Sequence, residues 1–143
     1  MSTRTDHEDA VTDLLIGDVA RISGVPIDTL RYYDRAGLLG ELRRDAAGRR
    51  VFDNHALGLL DLVLRLRRTG MPIEDVRRFV DLLRTGDRDR SGRLRLLREH
   101  RARALAQVEQ LQADLAVIDW KIAAYQAAED GTEPPPAPPP GWT

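Results

Sequence analysis

The chain has 143 residues and no cysteine, which suits one domain with an appendage and excludes disulfides, thiolate metal sites and thiol sensors. Its 22 Lys and Arg nearly balance its 23 Asp and Glu, so a nucleic-acid site must arise from local patterning rather than from net charge. No apolar run approaches the roughly 18 residues of a membrane span, and the acidic start lacks a basic leader, so we expect a cytoplasmic protein without membrane contact.

Composition divides the chain into four segments. They are an acidic start (1–13), a compact domain (14–86), a long helix (87–130) and a proline-rich tail (131–143) that we expect to be disordered. Within the domain, a short helix ends at Gly24 and a second helix runs from Pro26 to Ala36-Gly37. Two short helices joined by a tight glycine-containing turn are typical of a helix-turn-helix, whose second helix enters the major groove of DNA.

The predicted second helix has an apolar face and a polar face. The apolar residues recur at helical spacing and are expected to pack on the first helix: Ile27, Leu30 and Tyr33. The outward residues are Asp28, Arg31, Tyr32 and Arg35. Arginine forks onto phosphates or guanine edges, and a tyrosine hydroxyl can donate to a phosphate. Arg31 and Tyr32 are therefore the strongest candidates for DNA contact.

Two further candidates on this helix have alternative interpretations. Thr29 lies near the helix start, where it either reaches base edges or packs beside the following hairpin. Arg35 shares the face of Arg31 and either contacts DNA or forms a surface pair with Asp34 or Glu41. Asp28 would lie close to phosphates, so its repulsion must be outweighed or used for specificity.

A basic hairpin is predicted over residues 43–52, because Gly48 can adopt the positive φ of a hairpin turn. Its arginines, which we expect to contact DNA as a wing, are Arg43, Arg44, Arg49 and Arg50. The alternative is a solvated hairpin tip.

Two more helices are expected to complete a small core. Asp53 is a good N-cap for the third helix, which ends at Thr69-Gly70, and Pro72 starts the fourth. The residues predicted to be buried are Ala56, Leu59, Leu60, Val63 and Leu66 in the third helix and Ile73, Val76, Phe79, Val80 and Leu83 in the fourth.

From Leu94 onward the apolar pattern changes to the 3,4 spacing of a coiled coil. The a and d positions are Leu94, Leu97, Arg101, Ala104, Val108, Leu111, Leu115, Ile118, Ile122 and Tyr125. At about 1.5 Å per residue, the stretch from Gly92 to Ala128 is on the order of 55 Å long, more than the preceding domain can cover, so a second copy is expected to bury the seam. Arg101 either fixes the register of that pairing or exposes its charge over a buried stem. Trp120 lies outside the seam and either packs against the partner's head or lines a small-molecule pocket.

These segments carry motifs that resemble those of the MerR family of bacterial transcription regulators. The motifs are IGDVA at 16–20, SGV at 23–25, TLRYYDRAGLL at 29–39, GRRVF at 48–52 and LRRTGMPIEDV at 66–76. The resemblance extends over residues 14–128. Arg31 matches the family's DNA-contacting arginine and Arg50 its wing arginine, whereas Arg49 and Phe52 stand where the family commonly has tyrosine.

The resemblance implies a mainly α fold, with a winged helix-turn-helix head followed by a long antiparallel coiled-coil dimerisation helix. A homodimer of this type contacts double-stranded promoter DNA in the spacer between the promoter elements. It bends and untwists that DNA so that RNA polymerase can read both elements. An antiparallel pairing that sets Leu94 opposite Tyr125 places Arg101 beside Asp119 of the second copy.

We therefore expect a homodimeric, sequence-specific transcription regulator without catalytic residues, metal or cofactor, since no nucleophile elbow, phosphate loop or metal-ligand spacing is present. A small-molecule effector, if there is one, is not sensed through thiols or a metal. One alternative is a protein-interaction adaptor that uses the coil and the proline tail. Another is a ligand-independent repressor or architectural DNA-binding factor.

Overall fold

The structure, a computed structural model, describes residues 13–136. In chain order the elements are β1 (Leu14–Leu15), α1 (Ile16–Ser23), α2 (Ile27–Arg35), β2 (Arg43–Arg44), β3 (Arg50–Phe52), α3 (Asn54–Arg68), α4 (Ile73–Leu83), a 3₁₀ turn (Gly86–Asp89) and α5 (Arg90–Asp130). The expected mainly helical fold with a small wing is confirmed. Backbone contacts divide the chain into two compact units, one ending at Leu97 and one beginning at Arg98. Most of the predicted acidic start, and the predicted tail beyond Pro136, lie outside the described residues.

The first two helices form the predicted helix-turn-helix. Gly24 has a φ of 74°, and its backbone N–H caps α1 by donating to the carbonyl of Ala20. This left-handed conformation suits glycine because it has no Cβ. The second helix begins at Ile27 rather than at Pro26, since Pro26 has an extended ψ of 140° and is the N-cap.

A three-stranded antiparallel sheet in the order β1-β3-β2 forms the wing. β2 and β3 make the predicted hairpin, and Gly48 has a φ of 82° in its turn. The strand β1 is not evident from the sequence, because two leucines are too short a run to show the alternation of a strand. It pairs with β3 and sets Leu14 opposite Phe52, so β3 has a neighbour on each edge.

The core of the first unit lies between the sheet and the helices around it. Asp53 caps α3 as predicted, because its Oδ1 accepts from the Ala56 amide at 2.8 Å. All five residues predicted to be buried in α3 are buried. In α4 the expectation holds for the buried Val76, Phe79 and Val80 and the half-buried Ile73, but Leu83 is exposed at the last turn. Leu96 of α5 joins this core, beyond the predicted domain end at residue 86.

The second unit contains the C-terminal part of α5 and the residues that follow it. Its apolar side chains along the predicted seam are exposed, with Leu111 at 62% and Ile122 at 60%. Residues 131–136 turn back along the helix, whereas their composition predicts a disordered tail. Within residues 13–136, no helix combines the length and the apolar content needed to cross a bilayer.

Candidate nucleic-acid interface

The outward face of α2 carries the polar residues that the sequence predicts. Its exposed side chains are Asp28, Arg31, Tyr32 and Arg35. Arg31 Nη1 lies 3.8 Å from Asp28 Oδ1, which is one turn earlier in the helix. Tyr33 is buried in the core, as its position on the apolar face predicts, and Thr29 is half-buried. The exposed face of α2 therefore carries negative as well as positive side chains and is not purely basic.

Two arginines from other elements hold the C-terminal end of α2. Arg50 of β3 forms an ion pair with Asp34, whose side chain is only 11% exposed. Arg77 of α4 donates from Nε to the carbonyl of Ala36 at 3.1 Å. A cation beside the last carbonyls of a helix also interacts favourably with the helix dipole. The orientation of α2 is thus fixed by both the wing and α4.

Asp45 organises the turn of the wing. Its Oδ1 accepts from the backbone amides of Ala47 at 3.0 Å and Arg49 at 2.8 Å, and its Oδ2 accepts from Arg49 Nε at 2.9 Å. The hydrogen bond from the Arg49 amide is the main cause that lowers the pKa of Asp45 below its ordinary value. Arg44 Nη1 donates to the carbonyl of Gly48 at 2.7 Å. Contacts within the wing itself therefore hold the turn.

Arg43 has different surroundings from the other wing arginines. Its Nη2 donates to both carboxylate oxygens of Asp13, at 2.7 and 2.8 Å, and its Nε lies 3.6 Å from Asp53 Oδ2. The hydrogen bond to Asp13 is the main cause that raises the pKa of Arg43. Arg43 pairs across the strands with Val51, and successive residues of a strand point to opposite faces. Arg43 and Arg44 therefore lie on opposite faces of the sheet.

A groove of about 670 Å³ lies between the start of α1, the helix α2 and the wing. Four of the eight residues predicted to contact DNA line it: Arg31, Arg44, Arg49 and Arg50. Leu15, Leu42 and Phe52 supply apolar surface beside them. The structure does not bring the other four predicted residues, which are Thr29, Tyr32, Arg35 and Arg43, into this groove.

The arginines of the groove already have partners within the chain. Arg31, Arg49 and Arg50 lie beside carboxylates, and Arg44 donates to a backbone carbonyl. Among residues 13–136, no ion pair involves Arg35. The groove is therefore lined by positive charge that is partly compensated.

Sequence reasoning missed three residues that shape this site. The sequence offers Asp34 as a partner for Arg35, but its partner is Arg50, and this pairing depends on how the wing folds against α2. The role of Asp45 has a local signal, because an aspartate at the start of a tight turn commonly accepts from backbone amides two to four residues later. The contact of Arg77 with α2 joins residues 41 positions apart, so no local pattern predicts it.

Most of the predicted coiled-coil positions are exposed to solvent in this chain. The exposed ones are Leu94, Arg101, Val108, Leu111, Leu115, Ile118, Ile122 and Tyr125. Ala104 is half-buried, and Leu97 packs partly against the core of the first unit.

Trp120, the candidate for an effector pocket, is half-buried and donates from Nε1 to the carbonyl of Pro136 at 2.5 Å. The described part of the chain contains no cluster of three or more acidic or histidine side chains arranged to hold a metal ion.

Comparison with known proteins identifies relatives that cover both units. The family described as MerR HTH family regulatory protein matches residues 14–83, and that described as MerR, DNA binding matches residues 57–120. An uncharacterized HTH-type transcriptional regulator of Haemophilus influenzae is 35% identical over 106 residues, which are 74% of this chain and 78% of that protein.

Solved structures of MerR family regulators are similar to this one. A MerR family transcriptional regulator from Bacillus thuringiensis superposes with a TM-score of 0.72 at 36% identity, over 78% of this chain and 97% of that chain. HiNmlR, a MerR family regulator that lacks the sensor domain, was solved bound to promoter DNA. It superposes with a TM-score of 0.76 at 32% identity, over 84% of this chain and 96% of that chain.

Proposed function

The chain belongs to the MerR family of helix-turn-helix transcription regulators, which are not enzymes, and on that premise we propose that it binds promoter DNA as a homodimer. The observation that carries the proposal is the groove, where Arg31 of the recognition helix meets three arginines of the wing. The similarity to HiNmlR, which was solved on promoter DNA, supports the same assignment. Because the bacterial chromosome lies in the cytoplasm, we propose that the protein acts there.

The proposed contacts divide by chemistry into base readout and phosphate binding. Arg31 and Tyr32 project from the exposed face of α2, where a recognition helix meets base edges and the flanking phosphates. The wing arginines Arg44, Arg49 and Arg50 face the groove and are suited to the phosphate backbone. A guanidinium has five N–H donors, so one that is paired with a carboxylate still has donors left for a phosphate. Thr29, Arg35 and Arg43 are proposed as peripheral contacts.

The proposed dimer rests on the exposed apolar residues of α5. Seven of the predicted seam positions are large apolar or aromatic side chains that are at least 44% exposed. A soluble protein seldom leaves such a continuous apolar stripe open, since each fully buried leucine or isoleucine contributes about 1.5–3 kcal/mol. A second copy of α5 presents the matching stripe. We propose an antiparallel pairing, in which Arg101 lies beside Asp119 of the second copy.

The proposed action on DNA follows from the symmetry of such a dimer. Two heads at opposite ends of an antiparallel coil contact two half-sites at a fixed separation, and DNA that does not match this separation must deform. We propose that the dimer bends and untwists a promoter spacer, so that RNA polymerase reads both promoter elements. Since the sequence contains no cysteine, we propose that any effector is a small molecule that is not sensed through thiols.

The experiment is fluorescence anisotropy of the purified chain on a duplex from upstream of its own gene. A scrambled duplex of equal length and composition is the control, and both are titrated at two salt concentrations. We expect tighter binding to the native duplex and a loss of affinity with salt, because bound arginines displace condensed counterions. Equal, weak binding to both duplexes by a stable dimer would contradict the proposal and favour the protein-interaction adaptor.

A second measurement separates a spacer-remodelling regulator from a ligand-independent architectural factor. Energy transfer between dyes at the two ends of the native duplex reports bending. For the regulator, we expect the energy-transfer efficiency to rise when the protein binds. We also expect it to change again when candidate effectors are added. Bending that no effector alters favours the architectural alternative, and binding without bending contradicts the remodelling step.

A further inference from the structure

The C-terminal half of α5 has a covered stripe in addition to the exposed seam. Between residues 105 and 130, all but four residues are exposed, and the four are Val117, Trp120, Ala124 and Ala127. Their 3,4,3 spacing places them on one face of the helix. Trp120 is two positions from both Ile118 and Ile122, which is about 200° around a helix. The covered stripe therefore lies on the face opposite the seam.

Residues 131–136, which we name the strap, turn back at the end of α5. Gly131 has a φ of 67°, and its amide donates to the carbonyl of Ala128 at 3.4 Å. The amide of Thr132 donates to the carbonyl of Ala127 at 2.9 Å. These two bonds form a Schellman motif, which ends a helix and reverses the chain direction. The motif thus directs the strap back along the helix it has just left.

Trp120 binds the far end of the strap. Its Nε1 donates to the carbonyl of Pro136 at 2.5 Å, and Pro135 is half-buried. Consecutive prolines have a fixed φ and no N–H, so they favour an extended polyproline II conformation whose carbonyls have no donor within the segment. Domains that recognise proline-rich ligands use aromatic-lined grooves for such segments, and an indole offers both a ring and a donor.

We propose that the stripe of Val117, Trp120, Ala124 and Ala127 is a binding site for a proline-rich segment, and that its occupant is the chain's own strap. The two alanines let an extended backbone approach the helix closely, while Trp120 supplies the hydrogen-bond donor. The ordering cost is small because proline φ angles are already fixed. Since the seam lies on the opposite face, the strap occupies its site without competing with a second copy of α5.

The test uses Trp120 as its own reporter. The chain has two tryptophans, so Trp142→Phe leaves Trp120 alone. Acrylamide quenching of its fluorescence is compared between this chain and the same chain ended after Gly131. Without the strap, we expect a larger quenching constant and a red-shifted emission maximum. Equal quenching constants in the two chains would overturn the proposal.

A second variant keeps the chain length and tests the proline chemistry itself. Replacing Pro134, Pro135 and Pro136 together by glycine is expected to give the quenching of the shortened chain, because glycine loses the preset φ. Circular dichroism checks that α5 is retained. A synthetic peptide of residues 132–143, carrying Phe at position 142, is expected to protect Trp120 when added to the shortened chain. Equal protection by a peptide with glycine at all six proline positions would contradict proline recognition.

Hydrogen exchange of the Trp120 indole N–H gives an independent readout. We expect exchange to be about fivefold slower in the full chain than in the shortened chain, the factor that corresponds to one net hydrogen bond. Unchanged exchange would refute the contact with Pro136.

Sedimentation of both chains tests the separation of the two faces. An unchanged oligomeric state is expected, and a change on shortening would show that strap and seam are not independent.

Discussion

The head (residues 13–97) and the distal part of α5 contain the same apolar residue types, but these are buried in the head and exposed in the distal helix. In the head, Leu30, Phe52 and Val63 are fully buried by the chain itself. In the distal helix, Leu111 and Ile118 are more than half exposed. Apolar periodicity predicts both elements equally well, but it does not say which surface covers them. The contrast teaches that the head covers its own core, whereas the apolar face of the distal helix stays exposed in the single chain, as the proposed dimer requires.

The largest expected effect is on the folding of the head. Phe52→Ala removes a fully buried ring and is expected to lower the free energy of unfolding by about 3–5 kcal/mol. Urea unfolding followed by circular dichroism measures this loss, which should not depend on protein concentration. Tyr32→Ala is the matched control, because that ring is 46% exposed. Equal losses for the two variants would show that the head does not depend on its own core.

The corresponding truncation in the distal helix should behave differently. Leu111→Ala removes a side chain that is 62% exposed in the single chain but buried in the proposed dimer. We expect it to weaken dimerisation by about 2–5 kcal/mol. Analytical ultracentrifugation over a range of concentrations measures the dissociation constant. A Leu111→Ala chain that dimerises like the parent chain would contradict the seam.

A smaller effect is expected on the DNA-binding face of the head. Arg31→Ala should weaken operator binding by about 1–3 kcal/mol, and by less on a scrambled duplex, if Arg31 reads a base. Arg95→Ala, a loss of the same charge from an exposed position on α5, is the matched control. Anisotropy titrations on both duplexes measure the difference. Equal weakening on every duplex would make Arg31 a phosphate contact alone.

The smallest effect concerns the turn of the wing. The folded pKa of Asp45 is lowered from 3.8, so its stabilising contribution is present above that pH and is lost as the pH falls through the folded pKa. The amide resonances of Ala47 and Arg49 should therefore shift at a pH below the ordinary range of aspartate. In Asp45→Asn these shifts should vanish. A midpoint at or above 3.8 would contradict the hydrogen bonds that Asp45 accepts from Ala47 and Arg49.

Much of the head follows from local sequence signals. Gly24, Gly48 and the Asp53 cap lie where the structure needs them, and the helix faces follow from spacing alone. What sequence reasoning missed is tertiary. The pairing of Arg50 with Asp34 joins two elements, and the contact of Arg77 with α2 spans the head. Such pairings depend on how the elements pack, which no window of sequence contains.

The strap, the described part of the tail, differs from what its composition predicts. Proline-rich composition predicts an unpacked segment because prolines cannot join a helix or a sheet ladder. That argument concerns regular secondary structure and overlooks a docking surface elsewhere in the chain. Trp120 lies outside the seam and needs a neighbour, and the strap begins only eleven residues later, at Gly131. Composition describes each segment alone, so it does not predict that these two segments contact each other.

The internal pairing of the groove arginines makes operator binding, as proposed, an ion-exchange reaction. Where a phosphate displaces Asp28, Asp34 or Asp45 from its arginine, rather than using the remaining guanidinium donors, the freed carboxylate attracts solvent cations. Cations released from DNA are then partly recaptured by the protein. The salt dependence of binding will therefore undercount the phosphate contacts.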